Sequence, residues 1–337
     1  MPSIAVVMAH HSDFSGVYFT IQSIRQHQPN VVSEWIVVDQ SSDSRPDIHE
    51  ALIGLAGNVK NMRVIPLPEP RGTSPARDKA IIASHCDIVI CLDCHVLLKP
   101  QAIPLVIDYF RQPARQRDLV QGPMLNDGLL TACTHWTPIW GANHLFGVWA
   151  TAWSGGDRPL AAFKGANGCA RFIWVTGDRH IQPVDPQEDT VLWEQHENFL
   201  ISHGFRPWWK GQDPTRTIEI PGQGLGCFAV WRENWPGFEP HSVGFGAEEM
   251  YLHEKIRRLG GRTVCLRGMQ WIHRFFKGTE AAPPPTRIEI IRNYVRFHRH
   301  LNLPLRELHE QFVNVWIDQS TWDGVIAEPY PPVPHAV

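Results

Sequence analysis

Ile88-Val89-Ile90-Cys91-Leu92-Asp93-Cys94-His95 reads as a strand that ends on a carboxylate and an imidazole. Five apolar residues in a row, without alternation, are what a strand covered on both faces carries. Two similar runs precede it, residues 4–9 and 35–39 (Trp-Ile-Val-Val-Asp), and residues 62–67 add a shorter one. Between the first two, Val17, Ile21 and Ile24 recur at the spacing of one helix face, and a further helix is expected over residues 76–84. Strands and helices alternating in this way predict an α/β domain with a mostly parallel sheet flanked by helices. Ligands bind at the carboxyl ends of strands in such sheets, so His10, Asp39 and Asp93 are expected on one rim.

Farther along, the character of the chain changes. Residues 130–220 carry Trp136, Trp140, Trp149, Trp153, Trp174, Trp193, Trp208 and Trp209 among glycines, prolines and histidines. This stretch reads as an aromatic-rich insertion, serving either core packing or as a wall on which an acceptor stacks. The glycines of Gly222-Gln-Gly224-Leu-Gly226 are expected to make a turn before a strand. Residues 244–261 read as a helix: Leu252, Ile256 and Leu259 share a face, Glu248 and Glu249 sit in the first turn, and Gly260-Gly261 stops it. After Pro283-Pro284-Pro285 comes a basic amphipathic helix over residues 287–300. The expected divisions are 1–128 for a nucleotide-binding half, 129–221 for the insertion, 222–278 for an acceptor and catalytic half, and 279–337 for a C-terminal helical extension.

The bulk numbers exclude more than they assign. A net charge of −3 over 337 residues gives no global basic field, so a polyanionic partner would need a local patch. Seven cysteines, an odd number lying mostly in apolar runs, suit buried thiols and a cytoplasmic location better than a disulfide framework. Residues 128–156 carry no Asp, Glu, Lys or Arg, yet Pro138, Asn143, His135, His144 and several glycines argue against a membrane span. Neither a Gly-x-Gly-x-x-Gly after the first strand nor a Gly-Lys-Ser/Thr loop is present.

Asp93 and His95 flank one residue at a strand end and could direct an oxygen and a nitrogen at one divalent cation, with Mn²⁺ favoured over Mg²⁺ by the mixed ligand set. Zinc held by Cys91 and Cys94 is the rival, weakened because a strand turns these thiols toward different faces.

The Asp93-Cys94-His95 stretch resembles the GT-A fold of family 2 glycosyltransferases and, more closely, the polypeptide N-acetylgalactosaminyltransferases, whose metal motif is Asp-x-His. Other segments agree in order: His10 at the end of the first strand, Val37-Val38-Asp39-Gln40-Ser41-Ser42, Arg71-Gly72-Thr73-Ser74-Pro75-Ala76-Arg77, Gly244-Phe245-Gly246-Ala247-Glu248-Glu249, and Trp271-Ile272-His273-Arg274. The likeness covers residues 3–125 and 222–277. It implies His273 as third metal ligand beside Asp93 and His95, and His10 and Asp39 at the nucleoside. It further implies Arg71, Arg77 and Asp93 near the nucleotide, and a catalytic role for Glu248 and Glu249. Without it, a histidine among aromatic residues, as His273 is, would read as a core group.

The implied activity is a Mn²⁺-dependent transfer of a hexose or N-acetylhexosamine from a UDP-sugar to a hydroxyl on a macromolecule, with the donor's α configuration retained. Glu248 is then expected to matter more than Glu249. Two acceptors fit: a Ser/Thr polypeptide, or DNA carrying a hydroxylated pyrimidine, by a weaker likeness to proteins of bacteria and their viruses, which would place the enzyme in a host cytoplasm. A polysaccharide acceptor is a further alternative. Arg287, Arg292, Arg296 and Arg299 on the basic helix tilt the choice toward DNA. Outside this class stand a sugar-phosphate nucleotidylyltransferase, for which the His10-His11-Ser12-Asp13 loop lacks the expected glycines and basic residues, and an inactive sugar-nucleotide-binding protein.

Overall fold

A computed structural model describes residues 1–69, 71–126, 128–141, 144–155, 158–175, 191–274 and 286–330. The first quarter alternates as expected: β1 (Ile4–His10), α1 (Phe14–His27), β2 (Glu34–Asp39), α2 (Pro46–Asn58), β3 (Met62–Pro66), α3 (Thr73–Ile82) and β4 (Ile88–Asp93). Next come β5 (Val96–Leu98), α4 (Ala102–Phe110), β6 (Leu119–Gln121) and β7 (Met124–Leu125). The Trp-rich stretch holds β8 (Ala132–Cys133), β9 (His135–Trp140), β10 (Phe146–Gly155), β11 (Arg158–Lys164), β12 (Ala170–Trp174), α5 (His196–Ser202) and β13 (Arg206–Pro207). The chain then returns through β14 (Thr217–Glu219), β15 (Cys227–Trp231), α6 (Glu248–Arg258), β16 (Thr263–Leu266) and β17 (Trp271–His273). It closes with α7 (Arg287–His300), α8 (Arg306–Phe312) and α9 (Gln319–Ala327).

Eight strands form the central sheet in the order β14-β16-β6-β15-β4-β1-β2-β3. The half from β4 to β3 is parallel, while β15 lies antiparallel between β4 and β6. Consecutive residues of β1 alternate between two apolar layers: Val6 and Met8 pack with α1, Ala5 and Val7 with α3. Both faces are therefore covered, which is why these strands are apolar throughout. Cys91 and Cys94 fall in opposite apolar layers, so the zinc reading has no support.

The insertion is more regular than its composition suggested. Strands β9 to β13 form an antiparallel sheet beside the central one, and a small sheet β5-β17-β7-β8 joins the two. β9 opens on His135, buried with its Nδ1 2.9 Å from the Thr134 hydroxyl. Burial alone pushes the pKa of this ring from 6.5 down to about 3. The unfolded chain binds a proton there that the folded protein refuses, so the stability is whole above about pH 6.5 and is lost as pH falls toward 3. Urea titrations should show a loss of about 2 kcal/mol from this ring between pH 7 and pH 5, at about 1.4 kcal/mol per pH unit. His135→Gln should narrow that pH difference by the same amount; an equal difference in both proteins would contradict the assignment.

The last helices close over the insertion. A Thr286–Glu289 capping box starts α7 where the sequence places it. Tyr294, Phe297, Phe312 and Trp322 form a separate apolar cluster with Tyr251 of α6, against which Trp140 and Phe146 pack. The basic face of α7 is consumed by this packing. Arg292 pairs with Glu328 at 2.7 Å, Arg296 donates to the His241 carbonyl, Arg299 to the carbonyls of Ile326 and Glu328, and Arg287 lies over the Trp316 ring. These arginines hold the extension down, and the argument that drew phosphates to them loses its basis. Pro283-Pro284-Pro285 lie outside the described residues. No helix among the described residues is long and apolar enough to cross a membrane.

Candidate metal and nucleotide site

β4 delivers Asp93 to the rim of the sheet, and His95 lies in the tight turn that leads on to β5. β17 runs antiparallel to β5 with His273 opposite Val96, and the Arg274 amide donates to the His95 carbonyl at 3.1 Å. Residues 178 apart in sequence thus meet: His95 Nε2 is 3.1 Å from His273 Nε2, which is 3.3 Å from Asp93 Oδ2. One ligand atom from each residue lies within 4.8 Å of the other two. Separations near 3 Å are what neighbouring ligands of one cation show when each bond is about 2.1 Å long, and one carboxylate with two imidazoles is a donor set suited to a transition metal.

Two neighbours prepare the set. Arg77, buried on α3, holds Asp93 Oδ1 at 2.6 Å and leaves Oδ2 toward the histidines. Burial opposes ionisation of Asp93, but Arg77 first, then His273 and His95, more than offset it and keep the carboxyl far below its ordinary range. Asp13 takes His95 Nδ1 at 3.3 Å, and its carboxyl, held down to about 2 chiefly by that bond, directs the ring so that Nε2 faces the cluster. The same carboxylate caps α1 through the Gly16 amide at 2.9 Å. A side chain at Gly16 would place its Cβ 2.3 Å from Asp13 Oδ2, so the glycine makes room for both bonds. The sequence reading passed over Asp13, although Asp-x-x-Gly before an amphipathic helix is an N-cap signal. Asp13→Asn should lower Mn²⁺ affinity by about 10- to 100-fold in calorimetry; an unchanged affinity would reduce Asp13 to a cap.

The cluster lies in a cleft of about 620 Å³ whose walls include His10, Gln40, Arg77, Trp136, Trp149 and Glu249. Asp39 stands behind this wall. It is fully buried, with Oδ1 bonded to His10 Nδ1 at 2.9 Å and to Ser41, and Oδ2 bonded to His49 Nδ1 at 2.8 Å. The expectation of direct nucleoside contact is corrected for Asp39, since no face of its carboxylate is open; it supports His10 instead. Arg71 also departs from expectation: its side chain is 63% exposed and reaches toward Glu69, while its backbone carbonyl accepts from Gly244.

Glu248 and Glu249 part company, as adjacent residues on a helix must. Glu248 accepts from the Gly246 amide at 2.6 Å and from the Thr73 hydroxyl at 3.2 Å, tying the entrance of α6 to α3. Glu249 faces the cleft. Burial raises the pKa of both, and the adjacent Glu248 charge pushes Glu249 up further.

Gly224-Leu225-Gly226, the second half of the glycine-rich run, lines the cleft. A Cβ at Gly224 would lie 3.0 Å from the Trp149 ring, and one at Gly226 3.1 Å from Trp271 and 3.2 Å from His273. Trp136 and Trp149 meet edge to face at 5.1 Å above it. Of the eight tryptophans these two line the cleft; Trp153, Trp208 and Trp209 are buried and Trp140 packs on the C-terminal helices.

Residues 5–124 match the glycosyl transferase family 2 profile. Over 111 residues the chain is 26% identical to a Drosophila melanogaster protein named as polypeptide N-acetylgalactosaminyltransferase 10, covering 32% of this chain and 18% of that one. The structure of GalNAc-T7 with UDP, GalNAc and Mn²⁺ superposes with a TM-score of 0.55 at 16% identity, covering 99% of this chain and 53% of that one. The mannosyltransferase PcManGT of Pyrobaculum calidifontis, solved with GDP-Man and Mn²⁺, gives a TM-score of 0.49 at 13% identity, covering 97% of this chain and 74% of that one. The chain thus spans about half or less of the length of the first two, and the shared architecture is the GT-A fold.

Proposed function

With residues 5–124 a glycosyl transferase family 2 domain on a GT-A fold, we propose that this chain is a metal-dependent glycosyltransferase that moves a hexose or N-acetylhexosamine from a UDP-sugar to a hydroxyl acceptor. The observation that carries the proposal is the convergence of Asp93 from β4, His95 from the turn after it and His273 from β17 in the wall of one cleft. A divalent ion held there would neutralise charge on the departing diphosphate. Arg77 keeps Asp93 ionised and aimed, and Asp13 aims His95. Glu249 is the carboxyl that meets the sugar or the incoming hydroxyl, and the Trp136 and Trp149 rings flank the acceptor side.

An uncharged acceptor, a Ser/Thr polypeptide or a polysaccharide, fits this cleft better than DNA. Among the described cleft residues the cations are Arg77, already ion-paired with Asp93, and Arg274, which lies over the Phe19 ring. The test is UDP release from UDP-hexoses and UDP-N-acetylhexosamines with Mn²⁺, in the presence of a Ser/Thr peptide pool, oligosaccharides and hydroxymethylated duplex DNA. Release that stops with EDTA supports the reading. Pyrophosphate formed from UTP and a sugar phosphate would indicate a nucleotidylyltransferase instead, and binding without turnover a sugar-nucleotide-binding protein.

With Glu249 facing the cleft and Glu248 bonded to Gly246 and Thr73, the roles proposed for the acidic pair are the reverse of the expected ones. Glu249→Ala should lower turnover on the order of a hundredfold with little change in melting temperature, whereas Glu248→Ala should chiefly lower the melting temperature by freeing the Gly246 and Thr73 donors. The product should keep the donor's α configuration by NMR. A severe Glu248 variant with a mild Glu249 variant, both fully folded, would restore the original assignment.

A further inference from the structure

α6 is entered through a turn that a chain does not adopt freely. Gly244, Gly246 and Ala247 hold φ of 72°, 116° and 72°, and Ala247, the cap of α6, is an L-residue in the left-handed region, where its surroundings must keep it. Val243 and Phe245 leave 44% and 46% of their surface exposed, so burial of these two side chains does not hold the turn. Backbone tethers from two directions do. From the α3 side, the Arg71 carbonyl accepts the Gly244 amide at 2.8 Å and the Thr73 amide donates to the Gly244 carbonyl at 3.3 Å. From the other side comes Asn293 of α7, in the C-terminal extension. Its Nδ2 donates to the Val243 carbonyl at 2.8 Å and reaches the Gly246 carbonyl at 3.5 Å, while its Oδ1 accepts the Val243 amide at 3.3 Å. A carbonyl only accepts and a peptide N–H only donates, so these bonds settle which end of the carboxamide is which.

Packing alone does not call for an asparagine there. Asn293 is 2% exposed, and its neighbours on α7, Ile291, Tyr294, Val295 and Phe297, all belong to the apolar cluster of the extension. A carboxamide buried in such company is costly unless its hydrogen bonds are made, and here they are made to the turn at both ends. What the turn controls is the start of α6. Successive residues step about 100° round a helix, so a rotation at Gly246 or Ala247 smaller than one step already carries the Glu249 carboxyl away from the cleft. α7 stands at the same cleft through its next residue: Tyr294 lines it, and its hydroxyl accepts the Phe146 amide at 2.8 Å.

Resting on the role proposed for Glu249, we infer that Asn293 is a positioning residue: through the Val243–Ala247 turn, the C-terminal extension sets the catalytic carboxyl in the cleft. The test compares wild type with Asn293→Ala, with the nearly isosteric Asn293→Asp, which keeps an acceptor for the Val243 amide and removes the donor, and with Leu308→Ala. Leu308 is fully buried in the same apolar cluster but on α8, so its variant loosens the extension without touching the turn. Both Asn293 variants should lower kcat for Mn²⁺-dependent UDP release about tenfold to a hundredfold, with the donor KM and Mn²⁺ affinity as in wild type. Amides of residues 243–247 should exchange hydrogen faster in them under native conditions. Leu308→Ala should melt lower, keep its kcat and leave exchange in the turn unchanged. Wild-type kcat in both Asn293 variants, a fall shared equally by Leu308→Ala, or a loss of donor or metal affinity in place of kcat would each overturn the inference alone. A wild type that releases no UDP from any donor would overturn the glycosyltransferase reading itself, and the role of Glu249 with it.

Discussion

Alanine at any one of Asp93, His95 or His273 is expected to reduce Mn²⁺-dependent UDP release by about two to three orders of magnitude, since each deletes a ligand of the ion proposed to neutralise the diphosphate. The three should be alike in kind because their ligand atoms belong to one cluster, with no separate strong pair. His273 is the most informative of them. It arrives from β17, far along the chain, and its variant asks whether the two halves of the fold share one ion. Near wild-type turnover and metal affinity in His273→Ala would reduce the set to Asp93 and His95. Circular dichroism and melting curves check that each variant folds.

Arg77→Leu is expected to cost stability as well as activity, on the order of 3–5 kcal/mol, the usual effect of removing one partner from a buried ion pair. The Arg77 side chain is 5% exposed, and its guanidinium is 2.6 Å from Asp93. Its charge also favours ionisation of the buried Glu248. Leucine would fill part of the space and leave both carboxyls without a cation. Urea titrations without metal should show the full loss. Saturating Mn²⁺ should recover part of it, because the ion brings positive charge to the same carboxylate. A variant as stable as wild type, or one that Mn²⁺ does not stabilise, would show that Arg77 and the metal do not share Asp93.

The parallel half of the sheet was legible in the sequence because apolar runs ending on polar residues are local signals. Ile88 to Asp93, the Val17-Ile21-Ile24 face and the amphipathic helix over residues 287–300 each depend on neighbours a few residues away. The start of α6 was less legible. Residues 244–247 read as part of a helix, but Gly244, Gly246 and Ala247 adopt positive φ, which bends the chain before Glu248. The metal set was half legible: Asp93 and His95 are two residues apart, whereas His273 depends on β17 pairing with β5, a long-range register that no local pattern carries. Asp39 shows the opposite failure. Its position at a strand end was right, but what it faces depends on His10, from β1, and on His49, from α2, and together they close it off. The tryptophans were visible as a composition and silent about direction, since strand pairing in the insertion decides that Trp136 and Trp149 face the cleft while Trp153 does not.

The central claim is that Asp93, His95 and His273 hold one divalent ion at which a UDP diphosphate is gathered. Anomalous diffraction at the manganese edge from crystals soaked with Mn²⁺ and UDP measures this directly. The account predicts one strong peak within bonding distance of Asp93 Oδ2, His95 Nε2 and His273 Nε2, with diphosphate density beside it. A peak elsewhere, or UDP bound in the cleft with no metal at these three atoms, would contradict it.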